Sequence, residues 1–316
     1  MKMMTFTPAQ VEPIVDLWNR RVCGCYATGP MTPEVFLADV AGKAYFDPDG
    51  LILAVDGGRP VAFAHAGFKS TDWVKPDLRT GTVSMLAVEE GQLDAGAQAL
   101  AAAVRYLLRR GAKQVQAFTI DFPNTPFYSG LYGGELAGMD EEHPSGQELL
   151  SRCHFRIGNG AAIMLCDLAD DIPPMADPSP YQLRVTPWET PLADRDSAAC
   201  YGIPEPLRRA SLLDEQGVEK AGISFWHLDR YNRATGDLLA VVTYVGAAPD
   251  VRGTGLAERL QREVHRILKS EGAQRVGLGT GGSNGVAVGF YRKLGYRVLK
   301  NAFTFYLDWR RYEEFR

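Results

Sequence analysis

Two rhythms of apolar and polar positions run along this chain, and each predicts its own kind of element. In the first half the spacing predicts a helix over Pro8–Val22, strands over Leu51–Val55, Pro60–Phe68 and Thr82–Val88, a long helix over Leu93–Arg110 and a strand over Gln114–Ile120. In the second half Gly222–Arg230 is strand-like and Leu238–Ala247 is an apolar, β-branched strand run. A helical pattern starts at Ala257, with Leu260, Val264, Ile267 and Leu268 at helical spacing, and Gln274–Leu278 reads as the next strand. Ala287, Phe290, Tyr291 and Leu294 fall at i, i+3, i+4 and i+7, so one face of a last helix packs on the sheet, with Asn284 as its N-cap.

The chain also repeats itself. The stretch from Phe155 to Leu168 matches that from Tyr296 to Trp309 in a constant register, so each half is expected to end on the same kind of strand. Residues 169–180, rich in Asp and Pro and without periodicity, read as a linker. The expected division is a first domain over 1–168, carrying an insertion at 123–143, and a second over 181–316.

One loop carries most of the chemistry. Val245-Gly246-Ala247 closes a strand, and Arg252-Gly253-Thr254-Gly255-Leu256-Ala257 leads into a helix N-terminus. There the first backbone N–H groups lack intrahelical partners and the helix dipole is positive, so an anion is favoured. Gly253 and Gly255 remove side chains where phosphate oxygens must approach backbone, Ala257 keeps the first turn small, and Arg252 adds a charge able to fork onto phosphate. A plain glycine-rich turn with an exposed arginine is the alternative. Gly277, Gly279 and Gly282 also spell GxGxxG, but only residues 283–316 follow, too few for the further βα repeats of a dinucleotide fold.

The RxxGxA loop and the segment Asn284-xx-Ala287-xx-Phe290-Tyr291-x-Lys-Leu294-Gly295-Tyr296, in this order and separation, resemble the GCN5-related N-acetyltransferase (GNAT) superfamily. The element order of the first half is the one that family uses, so the chain resembles a tandem GNAT protein over nearly its whole length. The resemblance implies an α+β (mixed α/β) fold of two tandem domains, each a mixed, mostly antiparallel central sheet flanked by helices. It implies that Arg252 to Ala257 cradle the pyrophosphate of acetyl-coenzyme A, the donor cosubstrate. Val245, Gly246 and Ala247 would pair with the pantetheine arm and offer an N–H to the thioester oxygen, and Asn284 and Tyr291 would face the far end of that arm. The implied activity is transfer of an acetyl group to a primary amine, expected to belong to a small molecule. A non-catalytic acetyl-CoA-binding or sensing protein is the alternative.

The resemblance implies direct attack by a neutral amine, for which Tyr291 is the candidate general acid, because a phenol delivers a proton to a thiolate without being charged at rest; packing on the apolar helix stripe is its alternative. The general base is left open. Leu238–Ala247 holds no carboxylate, and His227, Asp229, Glu205 and Tyr244 are candidates by residue type only. His227, beside Trp226, reads more readily as a satisfied core residue. The two halves also differ. If Val88 is set against Ala247, Leu93 takes the place of Arg252, Asp94 that of Gly253, and only Gly96 survives, opposite Gly255. Glu89, Glu90 and Asp94 would repel a pyrophosphate there, so the first domain is expected to be degenerate as a coenzyme A binder. Phe127 and Tyr128 in its insertion are candidate acceptor-wall residues or, equally, parts of a packed surface loop.

Composition narrows the setting. At 316 residues, 46% hydrophobic and 23% charged, the chain has room for two ordinary cores. No apolar run reaches the length of a membrane span and the N-terminus lacks a signal-peptide pattern, so no membrane association and a cytoplasmic location are expected. The five cysteines are scattered, which argues against a disulfide framework. The histidines show no ligand spacing, so no metal is expected. A net charge of -4 gives no footprint for nucleic acid. The oligomeric state is not readable.

Overall fold

Asp56-Gly57-Gly58-Arg59 shows how the first half is built. Gly57 and Gly58 take φ of 54° and 83°, the left-handed pair a two-residue hairpin turn requires, and the apolar runs on either side pair as its arms. The computed structural model of the chain describes residues 1–22, 30–42, 46–70, 76–119, 138–140, 143–169, 180–187 and 207–315. In chain order its elements begin β1 (Lys2–Thr5), α1 (Val11–Arg21), α2 (Pro33–Phe36), β2 (Leu51–Asp56), β3 (Arg59–Ser70), β4 (Pro76–Val88) and α3 (Leu93–Arg109). They continue β5 (Gln114–Ala117), β6 (Met139–Asp140), α4 (Pro144–Arg152), β7 (Phe155–Asp167), β8 (Gln182–Pro187), β9 (Arg208–Leu213) and β10 (Glu219–His227). The last are α5 (Asp229–Thr235), β11 (Leu239–Ala247), α6 (Leu256–Ser270), β12 (Arg275–Gly281), α7 (Gly285–Lys293) and β13 (Arg297–Leu307).

The chain forms two compact units. The first comprises Met1–Ala161 with Asn301–Arg316. Its strands run in the order β1-β2-β3-β4-β5-β13, antiparallel except for the parallel pair β4 and β5. Helix α3 is apolar along one stripe, and Ala99, Leu100, Ala103, Val104 and Leu107 bury it in the same core as Ala64, Val83 and Leu86. The second unit lies within Ala162–Lys300, with strand order β7-β12-β11-β10-β9-β8. Here β11 and β12 are parallel and the pairs among β8 to β11 antiparallel. Leu256, Leu260, Val264 and Leu268 of α6 share a core with Ile223, Phe225, Val242 and Val276.

Each half contributes the end of its last strand to the other unit. The end of β7 belongs to the second unit, where Met164, Cys166 and Leu168 enter the core and Leu168 N–H donates to Gln274 C=O at 2.8 Å. The end of β13 belongs to the first, where Phe305 and Tyr306 pair with Ala117 and Gln116, and Phe305, Leu307 and Phe315 join the core. The repeat suggests a break at 168, whereas compactness divides the chain near 161 and 300.

Smaller expectations change too. The strand from Gln114 stops at Ala117, because Phe118 takes a left-handed φ of 53°. Asp229 is not on a strand: β10 ends at His227 and Asp229 opens α5. Cys153 and Cys166 are free and buried, and burial pushes each thiol up to about 11. Among the described residues no helix is long and apolar enough to cross a membrane, and no three His, Cys, Asp or Glu gather as a metal-binding group.

Candidate functional site

The second unit opens where its two parallel strands part. β11 and β12 pair from Leu239↔Arg275 to Val242↔Leu278, and no pairing joins them beyond that point, although β11 runs on to Ala247 and β12 to Gly281. Opposite Ser224 and Phe225 the β10–β11 register skips Thr243, a bulge that bends β11 at the same place. Ala248 N–H donates to Lys220 C=O at 2.8 Å. Antiparallel ladders alternate, so Gly246 and Tyr244 turn their backbone groups toward β10, while Val245 and Ala247 turn theirs toward the opening. That leaves a strand edge able to pair with an extended ligand.

The glycine loop closes the end of this opening. Gly253 and Gly255 have φ of 80° and 81°, and a β-carbon on either would meet nothing within 4 Å. Gly255 is the N-cap of α6 and makes no side-chain cap. Among the described residues no hydrogen bond takes the N–H groups of Gly253, Gly255, Leu256, Ala257 or Glu258. Five donors therefore line one turn at the positive end of a fifteen-residue helix. Arg252 is exposed, and its Nε donates to Ala247 C=O at 3.2 Å, which holds the guanidinium beside the loop. The Thr254 hydroxyl donates to Val251 C=O at 2.8 Å.

On the β12 side, Asn284 caps α7: its Oδ1 accepts from Ala287 N–H at 3.1 Å. Val286 is 86% exposed. Tyr291 is only 8% exposed, and its ring packs against Phe290 and edge-on to Tyr296 at 5.6 Å. Val245 to Ala247 thus lie at the end of β11, Arg252 to Ala257 on the loop and first turn into α6, Asn284 at the N-cap of α7 and Tyr291 on the buried side of that helix.

His227 does not join them, which corrects the expectation. It pairs with Ala240, so along β11 it stands roughly 24 Å from the level of Ala247 at the strand rise of about 3.4 Å per residue. Its Nε2 lies 2.9 Å from Glu271 Oε2, just past the C-terminal end of α6, whereas the glycine loop is at the N-terminal end. Arg208, His227, Asp229 and Glu271 line a separate depression there. Phe127, Tyr128 and Glu205 lie outside the described residues.

The structure adds a polar cluster that sequence reasoning missed. Gly222 lies directly across from Gly246. Arg209 and Glu219 extend over Gly222, and the Tyr244 hydroxyl lies over Gly246, so a β-carbon on either glycine would strike them. Glu219 accepts from Arg209 Nε at 2.9 Å and Nη2 at 2.5 Å, and from the Ser211 hydroxyl at 2.5 Å. The Arg209 guanidinium stands 4.7 Å from the centre of the half-exposed Tyr244 ring. Burial pushes the Glu219 carboxyl up, but the hydrogen bonds from Arg209 and Ser211 outweigh it and hold the group below its ordinary range. No sequence motif marks this cluster, since it forms only through the register of three strands.

The corresponding loop of the first unit is built differently. Only Glu89 to Gln92 separate β4 from α3, against Ala248 to Gly255 between β11 and α6. Gly96 is consequently not a loop glycine opposite Gly255; it lies inside α3, where a β-carbon would come within 2.8 Å of Leu149. Glu89 pairs with Arg20 and Arg21, and Glu90 with Arg21 at 3.5 Å. In this unit α1 supplies its own cations to the acids of the turn.

Residues 181–296 match the model of the acetyltransferase (GNAT) family. No curated protein matches the chain in sequence. Among solved structures, the chain is similar to a GCN5-related N-acetyltransferase from Sphaerobacter thermophilus, with TM-score 0.66 and 15% identity, over 98% of this chain and 95% of that one. It is similar also to a tandem GNAT protein from the clavulanic acid biosynthesis pathway, with TM-score 0.67 and 15% identity, over 98% of each chain. A third similar structure is a GCN5-related glucosamine N-acetyltransferase region of a fungal multi-domain GH3 β-N-acetylglucosaminidase, with TM-score 0.64 and 15% identity, over 97% of this chain and 38% of that one. At these identities the likeness is one of fold.

Proposed function

We propose, from the match of residues 181–296 to the GNAT acetyltransferase family model and the likeness of the chain to tandem GNAT folds, that the second half, 181–316, transfers an acetyl group from acetyl-CoA to a small primary amine. The observation that carries the proposal is the parting of β11 from β12 above a loop of five N–H donors. A pyrophosphate fits that loop, with Arg252 beside it, and the pantetheine arm fits the strand edge of Val245 and Ala247 as a third strand would.

In this reading the amine nitrogen attacks the thioester carbonyl, the C–N bond forms and the C–S bond breaks. The oxyanion is met by backbone N–H on the open edge of β11. The thiolate takes the phenolic proton of Tyr291, which solvent restores. On the acceptor side the Glu219 carboxylate lies over Gly222, the residue across from Gly246, and is held ionised, which suits it to orient the amine by a charge-assisted hydrogen bond. Its lowered proton affinity makes it a weak base, so the amine proton passes on to water. A non-catalytic sensor was suggested by the lack of a carboxylate on β11; Glu219 supplies one from the neighbouring strand and weakens that alternative. The first half, with its short turn and paired acids, is proposed to bind no coenzyme A.

Titration calorimetry of acetyl-CoA into the wild type and Gly255→Glu tests the donor site, and thiol release over a panel of primary amines tests turnover. The expected result is one site per chain, lost in the variant, with amine-dependent thiol release. No binding to the wild type, or binding indifferent to the glutamate, overturns the proposal. Binding without amine-dependent release would favour the sensor.

A further inference from the structure

The core of the second unit contains three polar side chains that the proposed chemistry does not use. Gln261 and His265 lie at i and i+4 on the buried face of α6, and Tyr296 immediately precedes β13. All three are buried. Gln261 Nε2 donates to the Tyr296 hydroxyl at 3.1 Å, and His265 Nε2 lies 2.8 Å from that hydroxyl and 3.0 Å from the Gln261 amide nitrogen. The His265 ring also packs against the Tyr296 ring at 5.4 Å. Burial pushes His265 down to about 4, with Arg262 adding to the effect, so the imidazole is neutral at physiological pH.

Such a cluster is costly to keep. Burying an amide, an imidazole and a phenol loses solvation that hydrogen bonds only offset, and Gln261 Oε1 has no hydrogen-bond partner among the described residues. Leucine and phenylalanine would fill the same volume without that cost. The neighbours on this face, Leu260, Val264 and Leu268, are apolar.

What the cluster holds is Tyr296, and what Tyr296 touches is Tyr291. The two rings meet edge to face at 5.6 Å and 64°, and Tyr296 N–H donates to Tyr291 C=O at 3.1 Å. We propose that Gln261, His265 and Tyr296 are positioning residues: a buried hydrogen-bonded triad that fixes the Tyr296 ring and through it the direction of the Tyr291 phenol. The inference rests on the reading of Tyr291 as the group that protonates the departing thiolate.

Two measurements on the full chain test it. In the first, 3-fluorotyrosine is placed at position 291 and its fluorine resonance compared in the wild type, Tyr296→Phe and His265→Leu. One narrow line is expected in the wild type, with a broadened or split line in both variants. In the second, thiol release from acetyl-CoA with a saturating primary amine is compared for Tyr296→Phe alone and in a Tyr291→Phe background. Tyr296→Phe is expected to lower kcat tenfold to a hundredfold, the scale of an ångström-level misplacement, with acetyl-CoA affinity unchanged within about twofold. The same change is expected to cost nothing further once Tyr291 is phenylalanine. An unchanged fluorine line in both variants overturns the triad's role, as does a kcat loss that persists undiminished in the Tyr291→Phe background. If Tyr291→Phe leaves kcat intact while the fluorine line still responds, the reading of Tyr291 fails and the triad's hold on its ring stands.

Discussion

Arg252 Nε donates to the carbonyl of Ala247 at 3.2 Å, so the arginine of the glycine loop is tied back to the last residue of the strand that feeds it. The tether leaves the remaining guanidinium donors to an anion and limits the rotamer freedom lost on binding. Arg252→Ala is expected to weaken acetyl-CoA binding by about 1.5 to 3 kcal/mol, the range for a hydrogen bond to a charged group. Arg252→Lys is expected to recover only part, since an ammonium keeps the charge without the fork. Calorimetry at low and high salt checks both, and the wild type should lose more affinity with salt than Arg252→Ala.

Two glycines that look alike in sequence should respond differently to alanine. At Gly255 the new methyl meets open space, but φ is 81°, so Gly255→Ala is expected to cost about 1 to 2 kcal/mol through backbone strain. At Gly96 the backbone is helical and the methyl comes within 2.8 Å of Leu149 and 3.1 Å of Val88, so the cost arises from overpacking, about 1 to 3 kcal/mol. Denaturant midpoints measure both costs. Only Gly255→Ala is expected to change acetyl-CoA affinity.

Glu219→Gln removes a charge from the acceptor side and leaves Arg209 without its bidentate partner. The expected outcome is a KM for the amine raised at least about tenfold, the scale of one lost charge-assisted hydrogen bond, with donor affinity unchanged. Gly222→Ala should act in the same direction by a different route, because its β-carbon would displace the Arg209–Glu219 pair. Initial rates over an amine titration distinguish this from a donor defect.

Two buried imidazoles set a pH dependence of stability. Burial pushes His65 down to about 3, against a small opposing pull from Asp47, and His265 down to about 4. The unfolded chain takes up these protons near pH 6.5 and the folded chain does not, so the stabilisation is complete above about 6.5 and is lost as pH falls. Each site is worth a few kcal/mol on the scale of about 1.4 per pKa unit. Melting temperature should therefore drop between pH 6.5 and 4, and His265→Leu should flatten that slope in part, with His65 supplying the remainder.

Much of this fold is legible in sequence because its signals are local. The apolar run of β11, the helical stripe of α6 and the capping Asn284 each depend on residues within a few positions of one another. The glycine loop is legible for the same reason. Glu219 was invisible because its carboxylate lies over Gly222, which meets Gly246 only through the register of β10 and β11. Gln261 and His265 carry no local signal of burial, and their hydrogen bonds to Tyr296 form only when that residue returns from a distant part of the chain. The alignment of Gly96 with Gly255 failed because counting from the strand end assumes loops of equal length. His227 was misplaced because residue type carries no information about which end of a strand faces the ligand.

The exchange of β7 and β13 bears on how this gene can be divided. A fragment beginning after residue 168 would encode α6, the glycine loop and α7, yet lack Met164, Cys166 and Leu168, which the core around them uses. The complementary fragment would lack Phe305, Leu307 and Phe315. Each piece would therefore leave a core short of side chains that the whole chain supplies. Each piece holds the strand end that fills its counterpart's core, so a split chain is expected to regain both cores only when the two halves are made together.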